Sequence, residues 1–191
     1  MKKIGLLGGS FNPIHIGHLI LANTVLESLQ LDFIIFIPCN IQPLKPESSL
    51  IDANARLEMI KLAIENNNKF SVSDIEINRG GKSYTIETIK YFKNLYDDLY
   101  FIIGADNIKD FENWKDPDDI ILLAKIVVTN RGGIKFSLPQ KLRDKEVLVI
   151  KIPNIEISST DIRERIKNNK SIKYFVPEKV EEFILNNNLY K

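Results

Sequence analysis

A dominant charge is missing from this sequence: 26 lysines and arginines against 25 aspartates and glutamates leave a formal net charge of +1. That balance excludes the broad basic field by which a domain holds nucleic acid, so an anionic ligand must be met by groups placed locally. Cysteine is almost absent as well. With Cys39 alone no intramolecular disulfide can form, which fits a reducing cytosol. Long apolar runs are also lacking. Ile4 to Leu7, behind Lys2-Lys3, faintly mimics a signal peptide, but it breaks at Gly8-Gly9 and no membrane-length run follows. The chain therefore reads as cytoplasmic, with neither membrane nor nucleic acid as a partner. Its 191 residues and 44% hydrophobic composition suffice for one sizeable core, so a single domain over 1–191 is expected.

What is present is concentrated in one stretch, Gly8-Gly9-Ser10-Phe11-Asn12-Pro13-Ile14-His15-Ile16-Gly17-His18. It follows an apolar run and precedes Leu19, Ala22, Val25, Leu26 and Leu29 at helical spacing, so it is a strand-to-helix loop. Glycines let backbone N–H groups approach an anion, and the N–H groups and dipole of the next helix attract one. Both histidines of the chain lie here, three residues apart, on one side of a first helical turn. A plainer reading makes the histidine a helix cap and Asn12-Pro13 a turn. Zinc would need carboxylates to complete its site, because no third histidine and no second cysteine exists. The stretch matches neither GxGxxG nor GxxxxGK[ST].

Apolar runs at 33–38, 99–103, 124–129 and 146–152, an alternating one at 70–77, and intervening helical patterns predict a parallel, doubly wound α/β sheet of Rossmann-like type with a small C-terminal helical portion. Asp52 should cap a packing helix bearing Leu57, Ile60 and Ile64. Asp106, after Gly104 at a strand's carboxyl end, lies where open sheets bind ligands, or else caps the next helix. A second phosphate-type motif is Ile157-Ser158-Ser159-Thr160-Asp161-Ile162-Arg163. Hydroxyls at a helix start with an arginine on the first turn suit polyphosphate, while the plain alternative is a cap by Ser159 with Asp161 favouring the dipole. The single tryptophan, Trp114, lies in a polar setting; isolated tryptophans usually anchor cores.

The first motif together with Ile-Ser-Ser-Thr-x-x-Arg resembles the HxGH nucleotidyltransferase superfamily. From about Lys3 to Tyr190 the chain is most similar to its nicotinate-nucleotide adenylyltransferases. That resemblance implies transfer of AMP from ATP to nicotinate mononucleotide, giving deamido-NAD and pyrophosphate, with Mg²⁺ bound mainly through the ATP phosphates and no protein metal site. His18 and His15 are the implied catalytic pair, with Gly8, Gly9, Ser10 and Phe11 as their loop. Gly104 and Asp106 fall on the ATP side, and Ser158, Ser159, Thr160 and Arg163 at the pyrophosphate end. On the mononucleotide side the resemblance implies Lys45, Thr85, Trp114, the backbone N–H of Lys115, and Arg131. The family's Pro-Pro-His-Lys-like motif reads Gln42-Pro43-Leu44-Lys45 here, so its histidine is missing. Phosphopantetheine adenylyltransferase shares both phosphate motifs, but Ser83-Tyr84-Thr85 and Asn113-Trp114 stand against it. A nucleotide sensor without turnover is opposed by intact His15, His18 and Arg163. Association into a homo-oligomer is compatible with the sequence.

Overall fold

In the computed structural model of the chain, which describes residues 2–44, 50–131 and 136–191 and Arg131 by its backbone only, the apolar runs become six strands. They are β1 (Lys3–Gly9), β2 (Phe33–Pro38), β3 (Phe70–Val72), β4 (Asp98–Gly104), β5 (Lys125–Arg131) and β6 (Val147–Ile152). All pair in parallel, in the order β3-β2-β1-β4-β5-β6. The described helices are α1 (Ile16–Ser28), α2 (Ala53–Ile64), α3 (Ile75–Arg79), α4 (Thr85–Lys93), α5 (Ala105–Ile108), α6 (Pro117–Leu123), α7 (Gln140–Arg143), α8 (Ser159–Lys167) and α9 (Glu178–Asn186).

Successive side chains of a strand face opposite ways, and here both ways are apolar. Leu7, Ile34, Phe36, Ile102 and Val127 pack with residues of α1, α2, α8 and α9. Ile4, Leu6, Ile35, Ile37, Phe101, Ile103, Ile126 and Val128 pack with α4, α5, α6 and α7. The sheet is therefore the middle of three layers, and the Rossmann-like reading holds. Val180 and Ile184 of α9 join Met59 and Ile60 of α2 in one cluster, which seats the C-terminal helices on the α1 face. Pro177 is the residue that caps α9. Among the described residues no helix is long and apolar enough to cross a membrane.

One strand differs from expectation. The run 70–77 is strand only as far as Val72, and Ile75–Arg79 is helix. Its apolar residues change parity, Phe70 and Val72 against Ile75 and Ile77, and a strand that kept going would turn the second pair to the wrong face. The Ser73 Oγ accepts from the Ile75 N–H at 3.4 Å, starting a helix where the ladder stops. Asp52 does cap α2, accepting from Asn54 and Ala55 N–H at 2.9 and 3.1 Å.

Strand order reverses between β1 and β4, so their following connections leave to opposite faces and open a crevice at the carboxyl edge. The stretch Gly8 to His18 starts with the last two residues of β1, and Gly104 to Asp106 starts with the last residue of β4.

Candidate active site

His15 caps α1 and is 2% exposed, while His18 stands at the third helical position. The two rings lie with centroids 3.7 Å apart. His15 N–H donates to His18 Nδ1 at 3.2 Å, so in the neutral ring that bond leaves the hydrogen on Nε2, a donor. Phe11 packs edge-on against His18, centroids 5.1 Å apart, and is fully buried. The plain reading of the histidine holds for His15, which stands at the cap of α1 and whose N–H orients its neighbour.

The glycines do different work from one another. A Cβ on Gly8 would meet nothing within 4 Å, so this backbone faces open space. One on Gly9 would stand 3.0 Å from the Phe11 ring, and one on Gly17 3.0 Å from His15 Nδ1. Two of the three therefore make room for rings, and only Gly8 offers the open approach that an anion requires. The helix start is also less free than the sequence suggests. Ile16 N–H donates to Phe175 O at 3.0 Å and His18 N–H to His15 O at 2.9 Å.

The second motif meets this loop across the fold. Ser159 Oγ donates to Pro13 O at 2.8 Å, and Arg163 Nη1 donates to Asn12 O at 2.8 Å. The cap of α8 is Ser158 and not Ser159: its Oγ accepts from Asp161 N–H at 3.1 Å and donates to Asp161 Oδ2 at 2.6 Å. Ser159 is freed for the loop by being one residue inside the helix. Thr160 Oγ1 accepts from Arg163 Nη2 at 3.2 Å and so retains its own proton to donate. Tyr190 adds a third tie, donating to Asn12 Oδ1 at 2.9 Å. Burial pushes its phenol well above the usual range, which keeps it a donor throughout workable pH.

Thr85 opens α4, and Tyr84 at its cap supplies no side-chain cap. Ser83 Oγ accepts from Asn40 N–H at 2.8 Å and so binds the end of β2 to this segment. Trp114 is half-buried against Phe101 and Phe111, centroids 6.0 and 5.4 Å away, so it anchors the core in part. Lys115 Nζ reaches Glu87 Oε1 at 2.8 Å and lies 4.6 Å from the Tyr84 ring centre. This contact raises the Lys115 pKa, and the Lys115 hydrogen bond lowers that of Glu87. Arg79 joins the same carboxylate at 3.3 Å. Behind them Glu76 is buried, and desolvation raises its pKa against the Thr88 and Ser83 hydrogen bonds. Asp106 is exposed on the first turn of α5, folded back over Gly104, where any Cβ would collide with its carboxylate. Arg131 ends β5 opposite Ile152, its side chain outside the described residues, as is the whole of Lys45. Among the described residues no group of three or more His, Cys, Asp or Glu could hold a metal ion.

Arg56 was legible only as part of a packing helix, yet its guanidinium is 1% exposed and donates to Ser10 O, Cys39 O and Asn40 O. The overlooked signal is periodicity, for Arg56, Ile60 and Ile64 share one stripe. Tyr190, at the far end of the chain, carries no comparable local signal.

A histidine-bearing loop at the switch point of a parallel sheet, clamped by a hydroxyl-rich helix start, is the architecture of a nucleotidyltransferase. The chain belongs to the cytidylyltransferase-like family, whose model matches residues 6–165. Within that family it groups with nicotinate-nucleotide adenylyltransferases. It is 41% identical to the Bacillus subtilis nicotinate-nucleotide adenylyltransferase and 45% identical to a probable one of Clostridium beijerinckii, each comparison spanning 100% of both chains. In structure it is similar to the Plasmodium falciparum nicotinic acid mononucleotide adenylyltransferase complexed with NaAD, with a TM-score of 0.81, covering 100% of this chain and 98% of that one at 24% identity.

Proposed function

We propose that the protein transfers the adenylyl group of ATP to nicotinate mononucleotide, yielding deamido-NAD and pyrophosphate, within one domain. The observation that carries this reading is the junction of the His15–His18 loop with α8 through Arg163–Asn12 and Ser159–Pro13. The names of the relatives, and the NaAD held by the Plasmodium structure, support the same substrates.

The nucleophile is a phosphate oxygen of the mononucleotide, which forms a bond to the α-phosphorus as the bond to pyrophosphate breaks. A phosphate is ionised at neutral pH, so no general base is required, only alignment and charge stabilisation. His18 Nε2–H donates to the reacting phosphate and His15 holds the triphosphate. Gly8 to Phe11 let backbone approach it. Thr160 and Arg163, with Ser158 and Ser159 shaping the helix start, meet the departing pyrophosphate; two of the five Arg163 N–H groups already hold Asn12 and Thr160, and the others can fork to phosphate. Gly104 and Asp106 border the nucleoside. Trp114 stacks on the pyridine, the N–H groups near Thr85 and at Lys115 receive its carboxylate, and Lys45 and Arg131 add positive charge. Mg²⁺ bound through the ATP phosphates would neutralise phosphate charge that the nearby cations do not cover. The single, buried thiol of Cys39 suits a cytosolic setting.

The test is a panel of nicotinate mononucleotide, nicotinamide mononucleotide and phosphopantetheine, each with ATP, with and without excess chelator. Deamido-NAD should form fastest, and only with divalent metal. Preference for phosphopantetheine, or full activity in chelator, would overturn the assignment.

A further inference from the structure

Arg56 heads the largest fully buried side chains, and no carboxylate among the described residues pairs with it. Apart from a 3.9 Å contact of Nη1 with Cys39 Sγ, its acceptors are carbonyl oxygens. Nε donates to Ile51 O at 3.2 Å, Nη1 to Ser10 O at 2.8 Å and Cys39 O at 2.7 Å, and Nη2 to Asn40 O at 3.3 Å. These atoms belong to three separate segments: the loop after β1, the end of β2, and the approach to α2. Lysine could not do this, because one Nζ is a point whereas a guanidinium is a rigid planar fork.

The segment it holds is one that needs holding. Phe11 has φ 46°, a left-handed backbone that a bulky L-residue keeps only when its surroundings dictate it. The peptide plane that this angle swings is Ser10–Phe11, whose carbonyl is the one bound to Arg56. In a trans peptide the Phe11 N–H points opposite to Ser10 O, so fixing the carbonyl fixes the direction of the donor. The other end of the fork reaches Asn40, whose own N–H is bound to Ser83 Oγ, two residues before Thr85.

We infer that Arg56 is a positioning residue for adenylyl transfer, setting the phosphate loop through Ser10 and the mononucleotide side through Asn40 and Ser83 at the mutual spacing that in-line displacement requires. This rests on the reaction assigned above. Its effect should therefore fall on the chemical step, in which both substrates are aligned, more than on the binding of either.

The experiment compares Arg56→Lys and Ser83→Ala with the unmodified protein, well below the melting temperature of each. Arg56→Lys should lower kcat by about 30-fold or more, with KM for ATP and for nicotinate mononucleotide within about threefold, since misplacement of about 1 Å costs about 10²-fold. Ser83→Ala keeps the Arg56 fork and cuts the far link, together with the Ser83 hydrogen bond to Glu76, and should lower kcat by about fivefold in the same pattern. Amide hydrogen exchange of the unliganded proteins gives a readout independent of turnover: Arg56→Lys should lose protection over 8–14 and 38–42 and keep it over α9. A folded Arg56→Lys protein with kcat within threefold, or a loss confined to KM, overturns the inference. Where Arg56→Lys does not fold, unchanged kcat in Ser83→Ala overturns it. If the unmodified protein makes no deamido-NAD, the assigned reaction fails by itself, and unaltered exchange over 8–14 in Arg56→Lys would refute the tie separately.

Discussion

Replacing Gly17 by alanine should separate stability from activity, because the two depend on different neighbours of the same atom. Gly17 is the second residue of α1, and an alanine in place of glycine inside a helix gains about 0.5–1 kcal/mol, less near an end. The new Cβ would stand 3.0 Å from His15 Nδ1 and 3.1 Å from its Cε1, so the ring must yield by a few tenths of an ångström. It has little room to do so: His15 is 2% exposed and stacked 3.7 Å from His18. The displacement passes to His18, whose Nδ1 is held by the His15 N–H. A misplacement of about 1 Å costs about 10²-fold in rate, so a shift of this smaller size should cost roughly tenfold in kcat. Urea unfolding should meanwhile place the variant within about 1 kcal/mol of the unmodified protein. Initial rates of pyrophosphate release, normalised to folded protein, supply the comparison. Normal kcat in a folded Gly17→Ala protein would refute the reasoning, and so would a collapse in stability with kcat retained.

With His18 in its proposed role as a transition-state donor, replacing it by alanine should reduce kcat by about 10²–10³-fold, with circular dichroism unchanged; near-normal turnover contradicts the role. Tyr190→Phe deletes only the hydroxyl bound to Asn12 and should cost about 1 kcal/mol in unfolding free energy, with a several-fold fall in kcat; an unmoved kcat would show that this tie does not bear on the loop. Trp114→Ala should weaken nicotinate and nicotinamide mononucleotides alike, since either ring can stack, and leave the ratio of their kcat/KM values intact; a changed ratio would place discrimination in the ring itself. Glu76 has a folded pKa raised by burial, so its contribution to stability is present below its unfolded value near 4.5 and is lost as pH rises through the folded value. Glu76→Gln should therefore gain on the unmodified protein as pH rises above about 4.5 in urea titrations, and parallel pH profiles would refute it.

The strands were legible because buried parallel strands are apolar on both faces, and each such run stands out against helices that are apolar on one. The run at 70–77 misled because alternation within each half hid the change of parity between them. Candidate site residues fall into two kinds. His15, His18, Ser158 and Arg163 lie in short motifs in which local chemistry and spacing coincide, so the sequence displays them. Arg56 and Tyr190 act on carbonyl and amide oxygens of residues 46 and 178 positions away, respectively, and nothing in their own neighbourhoods encodes that acceptor. The misassigned cap shows the same limit on a small scale: Ser158 and Ser159 are equivalent as sequence, and only the Pro13 carbonyl, 146 residues from Ser159, distinguishes them.

These long ties have a consequence for how the site comes into being. Ser10 O is held from α2, Asn12 O and Pro13 O from α8, Asn12 Oδ1 from Tyr190, and the Ile16 N–H from Phe175 O. Except for Arg56, every one of these partners lies beyond β6, on the C-terminal helices and the segments that flank them. Those helices seat themselves by burying Ile162, Ile166, Val180 and Ile184 against α1 and α2, a hydrophobic contact indifferent to phosphate. The chemistry of the loop is thus coupled to packing on the α1 face: whatever loosens α8 or α9 releases carbonyls on which the left-handed Phe11 and the stacked histidines depend. A cavity in that cluster, as from Ile166→Ala, should consequently impair turnover at temperatures where the sheet is still intact, although no atom of Ile166 belongs to the loop between β1 and α1.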